Sequence, residues 1–172
     1  IDAEPPILQH ISVESDSTLS LLFNENINPI SALNTINYIV DNGIGNPTIA
    51  YRNETDPTKV SLVFDNNFEN GKEYEITVMG LEDLSENMMI LSFLKFNYYE
   101  PQLYDIVFNE IMADPSPMVG LPEFEYIELY NRTAVDIDLS GWVLKMGASE
   151  KEFDSAIIYA KDYMLISNEN AH

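Results

Sequence analysis

The sequence contains no cysteine, which excludes disulfide bonds, thiolate nucleophiles and cysteine-ligated metal centres. Histidine is nearly absent as well: His10 and His172 are too few for the usual zinc sites. Cations are scarce, with 8 Lys and Arg against 29 Asp and Glu, a formal net charge of −21. Nucleic acid and anionic membrane surfaces both repel a chain of that sign. Apolar runs are short, and the longest, Met88 to Leu94, falls far below the ~20 residues of a membrane helix. Neither a glycine-rich phosphate loop nor a G-x-S-x-G nucleophile elbow occurs. What is present is apolar material, 45 % of 172 residues, enough to fill a core in one large domain or two small ones.

The first hundred residues read as short strands between turn signals. Ile7 to Val13 alternates apolar and polar residues, and Thr18 to Phe23 follows the turn-forming Glu14-Ser15-Asp16-Ser17. Ile36 to Asp41, Lys59 to Phe64, Tyr74 to Met79 and Met88 to Tyr98 continue the series. The connection Asp65 to Gly71 ends in Asn70-Gly71, a dipeptide that tolerates positive φ and predicts a hairpin between its flanking strands. A helical turn is expected near Asn28-Pro29-Ile30-Ser31-Ala32-Leu33, with Pro29 at its start. About seven strands over ~100 residues predict a β-sandwich.

A boundary falls at Tyr99-Glu100-Pro101-Gln102, where proline interrupts the ladder. The expected domains are 1–101 and 102–172. Acidity is spread over both: the first carries 16 acidic and 4 basic side chains, the second 13 and 4. Strands are expected over Tyr104–Met112, Glu123–Tyr130, Trp142–Met146 and Tyr163–Ser167. The prolines of Asp114-Pro115-Ser116-Pro117 and Gly120-Leu121-Pro122 force a loop after the first of these. Trp142 is the natural large core residue, and Asp136 to Ser140 a tight turn before Gly141.

Three motifs in the second segment occur in a specific order: Val107-Phe108-Asn109-Glu110-Ile111, Glu125-Tyr126-Ile127-Glu128-Leu129-Tyr130-Asn131 and Leu139-Ser140-Gly141-Trp142. With them, residues 104–172 resemble a lamin-tail domain of the bacterial type, which implies an immunoglobulin-like sandwich. The family's domain is longer than this stretch. The expectation is therefore an incomplete sandwich whose unpaired edge associates with a neighbour or with the first domain, or whose tail is disordered. Residues 5–100 resemble a bacterial immunoglobulin-like surface module through Leu21-Leu22-Phe23-Asn24-Glu25, Asn37-Tyr38, Gly71-Lys72-Glu73-Tyr74 and Leu81-Glu82-Asp83-Leu84-Ser85-Glu86-Asn87. Glu86 stands where the family usually has glycine. The fold class expected is all-β, two tandem immunoglobulin-like sandwiches with the second incomplete.

Candidate chemistry is thin. Asp83, Glu86 and Asn87, between strands, could hold calcium together with backbone carbonyls; a solvated turn accounts for them more simply. The Asp65–Gly71 loop fails the helix–loop–helix calcium template, because its glycine comes one place late and Ile76 replaces the bidentate glutamate. Tyr98, Tyr99 and Tyr104 cluster at the expected junction and could stack on sugar rings or simply pack. Glu123 and Glu125 on one strand face, with Glu110 on another strand, could supply a glycosidase pair, but nothing suggests a cleft and the lamin-tail pattern already explains Glu125 and Glu128. Asn53-Glu54-Thr55 and Asn131-Arg132-Thr133 match the glycosylation acceptor pattern.

The resemblances imply non-catalytic structural, adhesion or spacer modules of a larger exported bacterial protein, extracellular or at the cell surface, with no cofactor. The chain begins at Ile1, not methionine, and reads as an excised piece from which any signal peptide has gone. Expected partners are protein or polysaccharide at the cell surface, without nucleic acid or membrane insertion. The alternative is an accessory module for carbohydrate or calcium serving a secreted hydrolase or nuclease.

Overall fold

The computed structural model describes residues 2–114 and 124–167. The chain separates into two compact units, Ile1–Glu100 and Pro101–His172. Both are built almost wholly of β-strands, as their alternating patterns predict.

In the first unit, β1 (Leu8–Ser15), β2 (Thr18–Phe23), β5 (Lys59–Val63) and β4 (Ile49–Arg52) form an antiparallel sheet in the order β1-β2-β5-β4. A second sheet has the order β3-β6-β7, from Tyr38–Val40, Glu73–Val78 and Ser92–Asn97. Strict alternation turns Leu19, Leu21 and Phe23 of β2 and Val60 and Leu62 of β5 inward, against Tyr74, Ile76 and Val78 of β6. These residues form one continuous core. At ~25 cal/mol per Å², each such side chain contributes roughly 1.5–3 kcal/mol. The expected helical turn is α1 (Pro29–Ala32): Asn28 caps it by accepting the Ile30 N–H at 2.9 Å, and Pro29 occupies its first turn.

Two local expectations change. The predicted run 36–41 is a 3-10 turn over Thr35–Asn37 followed by only three strand residues, because Asn34 caps the turn by accepting the Ile36 N–H. The Asp65–Gly71 connection is not a hairpin: it carries the chain from β5 in one sheet to β6 in the other. Phe68 decides this. Its ring is buried against Phe64, Tyr74 and Phe96 at centroid distances of 5.6, 5.4 and 5.1 Å, pinning the loop's middle in the core. Asn42-Gly43 does form a tight reversal, with φ of 53° and 89° and paired bonds between Val40 and Gly45.

In the second unit, β8 (Ile106–Met112), β9 (Tyr126–Asn131) and β14 (Tyr163–Ser167) form a sheet in the order β14-β9-β8. Two small ribbons accompany it: β10 (Ile137–Asp138) with β13 (Ile157–Ile158), and β11 (Val143–Met146) with β12 (Ser149–Glu152). Its buried residues include Ile127, Leu129, Ile137, Leu139, Leu144 and Ile158. Trp142 is not among them; it is 42 % exposed. Leu139 and Leu144 on either side take the inward positions, while Trp142 stands at the mouth of the exposed β11–β12 ribbon. The turn expected over Asp136–Ser140 instead runs from Leu139 to Trp142, because Ile137–Asp138 are spent in β10; Trp142 N–H bonds Leu139 O at 2.8 Å, Ser140 N–H bonds Asp138 Oδ1 at 2.8 Å, and Gly141 has φ 79°. The proline loop and Glu123 lie outside the described residues, as does His172.

Candidate functional site

The first candidate is the loop between β6 and β7. Leu81 and Met89 bury its two ends, and Met89 N–H bonds Leu81 O at 2.7 Å. Between them Asp83 is 1 % exposed. Its Oδ1 accepts the N–H groups of Ser85 at 2.7 Å and Asn87 at 2.8 Å, and Oδ2 accepts Asn87 Nδ2 at 2.7 Å. Burial alone would raise this carboxyl; the Asn87 and Ser85 donors outweigh it and hold Asp83 below its ordinary value. Asn87 thus offers Asp83 N–H groups. Glu86 is exposed in the left-handed region, φ 65°, a backbone conformation that favours glycine.

An isolated bridge between Ile27 and Asp83 brings the segment after β2 alongside this loop. Glu25 and Asp2 come with it. One carboxyl oxygen from each of Asp2, Glu25 and Asp83 lies within 4.8 Å of the others. Desolvation, then the charges of Asp2 and Asp83, raises the Glu25 carboxyl. Such a trio can share a proton, or accept a hard cation through oxygen ligands. Sequence spacing gave no hint of Asp2 or Glu25 as partners of Asp83. The one usable signal was that Glu25 and Asp83 both belong to the motifs of a single family.

The three tyrosines have separate settings. Tyr98 is half-buried, its ring 6.5 Å from Phe68 and its hydroxyl donating to Glu100 at 3.3 Å. Tyr99 is half-buried as well. Tyr104 belongs to the second unit, 67 % exposed with φ 74°. Among the carboxylates of the second unit, Glu110 accepts the Tyr126 hydroxyl at 2.6 Å and Glu128 accepts Asn109 Nδ2 at 2.6 Å. The Glu110 bond, with burial, pushes the Tyr126 phenol up. Glu125 is exposed just before β9.

The acceptor-pattern asparagines are engaged in turns. Asn53 Oδ1 accepts the Thr55 N–H and hydroxyl, each at 2.9 Å, and the Asp56 N–H at 3.1 Å. Asn131, with 0 % exposure, closes the E-Y-I-E-L-Y-N motif by bonding at both ends of its amide. Its Nδ2 donates to Val135 O at 2.8 Å and Ile158 O at 3.1 Å, while its Oδ1 accepts the Thr133 N–H and hydroxyl, each at 2.8 Å. Sequence reading saw in Asn131 only a match to an acceptor pattern and missed this clasp.

Comparison with known proteins agrees with the architecture. Residues 5–98 match the model of the bacterial Ig-like domain, and residues 100–172 match that of the Lamin Tail Domain. No curated protein matches the chain. Among solved structures, the N-terminal part of the bacterial S-layer protein SbsC is similar at 14 % identity and TM-score 0.53, over 98 % of this chain and 45 % of that one. Domains 1–6 of surface layer protein SbsC match at 12 % identity and TM-score 0.52, over 96 % of this chain and 32 % of that one. The S-layer protein rSbsC(31-844) matches at 12 % identity and TM-score 0.51, over 94 % and 32 %. The chain thus spans less than half of each of these structures. At such identities the likeness is one of fold.

Proposed function

We propose that this chain, which belongs to the bacterial Ig-like domain family and continues into a lamin tail domain, supplies non-catalytic architectural modules of an exported, surface-attached bacterial protein. The observation that carries the reading is where the polar side chains go. Asp83, Asn53 and Asn131 all spend their hydrogen bonds fastening turns. Glu110 and Glu128 are held by neighbours within their own sheet. The fold likeness to S-layer structures supports a place in the cell-surface layer.

Association with other proteins fits exposed apolar positions in both units. Met88, Ile90 and Leu91 stand out from the loop before β7, and Phe108 and Ile111 from β8. β8 has β9 on one side and no strand on the other among the described residues, so it is an edge open to pairing. Sedimentation over a concentration series tests self-association there: Ile111→Lys should abolish any dimer, and a dimer that survives it assigns the contact elsewhere.

The architectural reading itself is tested by exchange. Replacing residues 1–172 in the exported parent with an unrelated pair of β-sandwiches of equal span should preserve surface display of the remaining domains. Loss of display would sink the spacer role. A melt with CaCl2 and EDTA addresses the accessory alternative. A ligand at 100 times its dissociation constant adds about 2.7 kcal/mol, several degrees for a unit this size. A calcium shift that EDTA reverses and Glu25→Gln removes would favour a cation-dependent module.

A further inference from the structure

One face of the first unit is built unlike the rest of the molecule. Pairing registers place Ser12 of β1, Ser20 of β2, Ser61 of β5 and Tyr51 of β4 in one row across the four-stranded sheet, on the face turned away from the core. Longer side chains stand on both sides of the row: His10, Leu22 and Lys59 on one, Thr18, Val63 and Ile49 on the other. Short serines between longer neighbours make a trough, with an open volume of roughly 480 Å³. Tyr51 closes one end and remains 48 % exposed.

We propose that this trough binds a neutral polysaccharide, one pyranose chain laid across the strands. Four features select that chemistry. First, β2 and β5 are interior strands, so the backbone under the serines is already spent in the ladder and cannot pair with an extended peptide. Recognition there must come from side chains. Second, none of the Ser12, Ser20, Ser61 or Tyr51 hydroxyls is engaged by another protein group among the described residues. Each hydroxyl donates once and accepts twice, matching a ligand equally dense in hydroxyls. Third, Tyr51 lines the trough half exposed, and an aromatic ring there suits the C–H face of a sugar. Fourth, Lys59 at the trough's edge is already paired with Asp56 at 3.0 Å, which leaves no cation there to hold an anionic ligand, and Glu14 with the chain's net charge of −21 repels a polyanion.

The opposite sheet shows that such a face is not simply the default for this protein. Its outward positions include Glu73, Glu75 and Lys95, with Lys95 paired to Glu73 at 2.6 Å. Size agrees as well. Four strands ~4.8 Å apart give a row of about 14 Å, room for two or three pyranose rings.

The test is a titration of the uniformly labelled 172-residue chain, followed by amide resonances, with cellohexaose, chitohexaose, xylohexaose and mannohexaose, and with polygalacturonate as a polyanion. At least one neutral hexasaccharide should shift the amides of Ser12, Ser20, Ser61 and Tyr51 together. Tyr51→Ala should weaken that ligand about tenfold, the scale of one aromatic contact. Ser20→Glu, which fills the floor and adds charge, should abolish binding. Both positions lie on the outer face, and unchanged melting curves show that the variants fold. The proposal is overturned if no neutral sugar moves these amides, if the shifts centre on Tyr98 or Tyr104, if polygalacturonate binds instead, or if Tyr51→Ala binds as the native chain does. Any of these leaves the module-exchange experiment to judge the architectural reading by itself.

Discussion

Replacing Asn131 with alanine should cripple the second unit while leaving the first intact. The amide makes four hydrogen bonds, to the carbonyls of Val135 and Ile158 and from the N–H and hydroxyl of Thr133. At about 1 kcal/mol net for each neutral bond, their loss costs roughly 3–4 kcal/mol, before any penalty for buried groups left unmatched. A unit of ~70 residues has only about 4–10 kcal/mol in total. Trp142, the single tryptophan, lies in this unit and is partly exposed, so its fluorescence follows this unit's unfolding directly. In a urea titration the Trp142 midpoint should fall by about 2–3 M, or the transition should already be complete in buffer. Asn131→Asp keeps the acceptor but turns a buried carboxylate on two carbonyls, and should cost at least as much. In a double-mutant cycle with Thr133→Val, the coupling should reach about 1 kcal/mol or more, because the two side chains share bonds. A loss below about 0.5 kcal/mol in Asn131→Ala, or strict additivity with Thr133→Val, would refute the clasp.

Phe68→Ala should destabilise the first unit by about 3–5 kcal/mol in denaturant-monitored circular dichroism, since it empties the centre of an aromatic cluster; a loss under 1 kcal/mol would return Asp65–Gly71 to an ordinary loop. Stability of the first unit should peak at mildly acidic pH. The folded pKa of Glu25 is raised, so ionising it on going to neutral pH costs stability, which returns as pH falls back through that raised value. The folded pKa of Asp83 is depressed, so its contribution is complete above the unfolded value near 4 and is lost as pH falls below it. Glu25→Gln should flatten the rise between neutral and mildly acidic pH and leave the acid loss in place; an unchanged profile would separate Glu25 from the trio. Tyr98→Ala should cost about 1–2 kcal/mol and Tyr104→Ala less than about 0.5, which melting curves of the two variants distinguish.

How much of this was legible in advance differs from residue to residue. Alternation in TLSLLF and KVSLVF fixed which side of β2 and β5 faces inward, because side-chain direction in a strand has a period of two and needs no tertiary information. Asn28-Pro29 announced α1 for a similar reason, since a cap and a preset φ act within one turn. The motifs shared with known families carried the sandwich architecture. By contrast, β4 and β10, β12 and β13 are short, and their sequences lack a pattern long enough to stand out.

Of the candidate sites, the sequence delivered Asp83 and Asn87 as neighbours along the chain but not Asp2 or Glu25, which reach Asp83 only through the bridge at Ile27. Asn131 is legible as polar and as part of a motif, yet its burial depends on Val135 and Ile158 arriving around it. Asn70-Gly71 permits a reversal but does not choose which strand follows; the burial of Phe68 between the sheets makes that choice. Trp142 has the size of a core residue, and only the packing of Leu139 and Leu144 leaves it outside. The serine row is the extreme case: its members look like unremarkable polar positions until register aligns them. Local chemistry thus determined direction, turns and composition of the strands. Which residues meet across sheets and strands was decided by tertiary structure, because register and burial are properties of pairs that are distant in sequence.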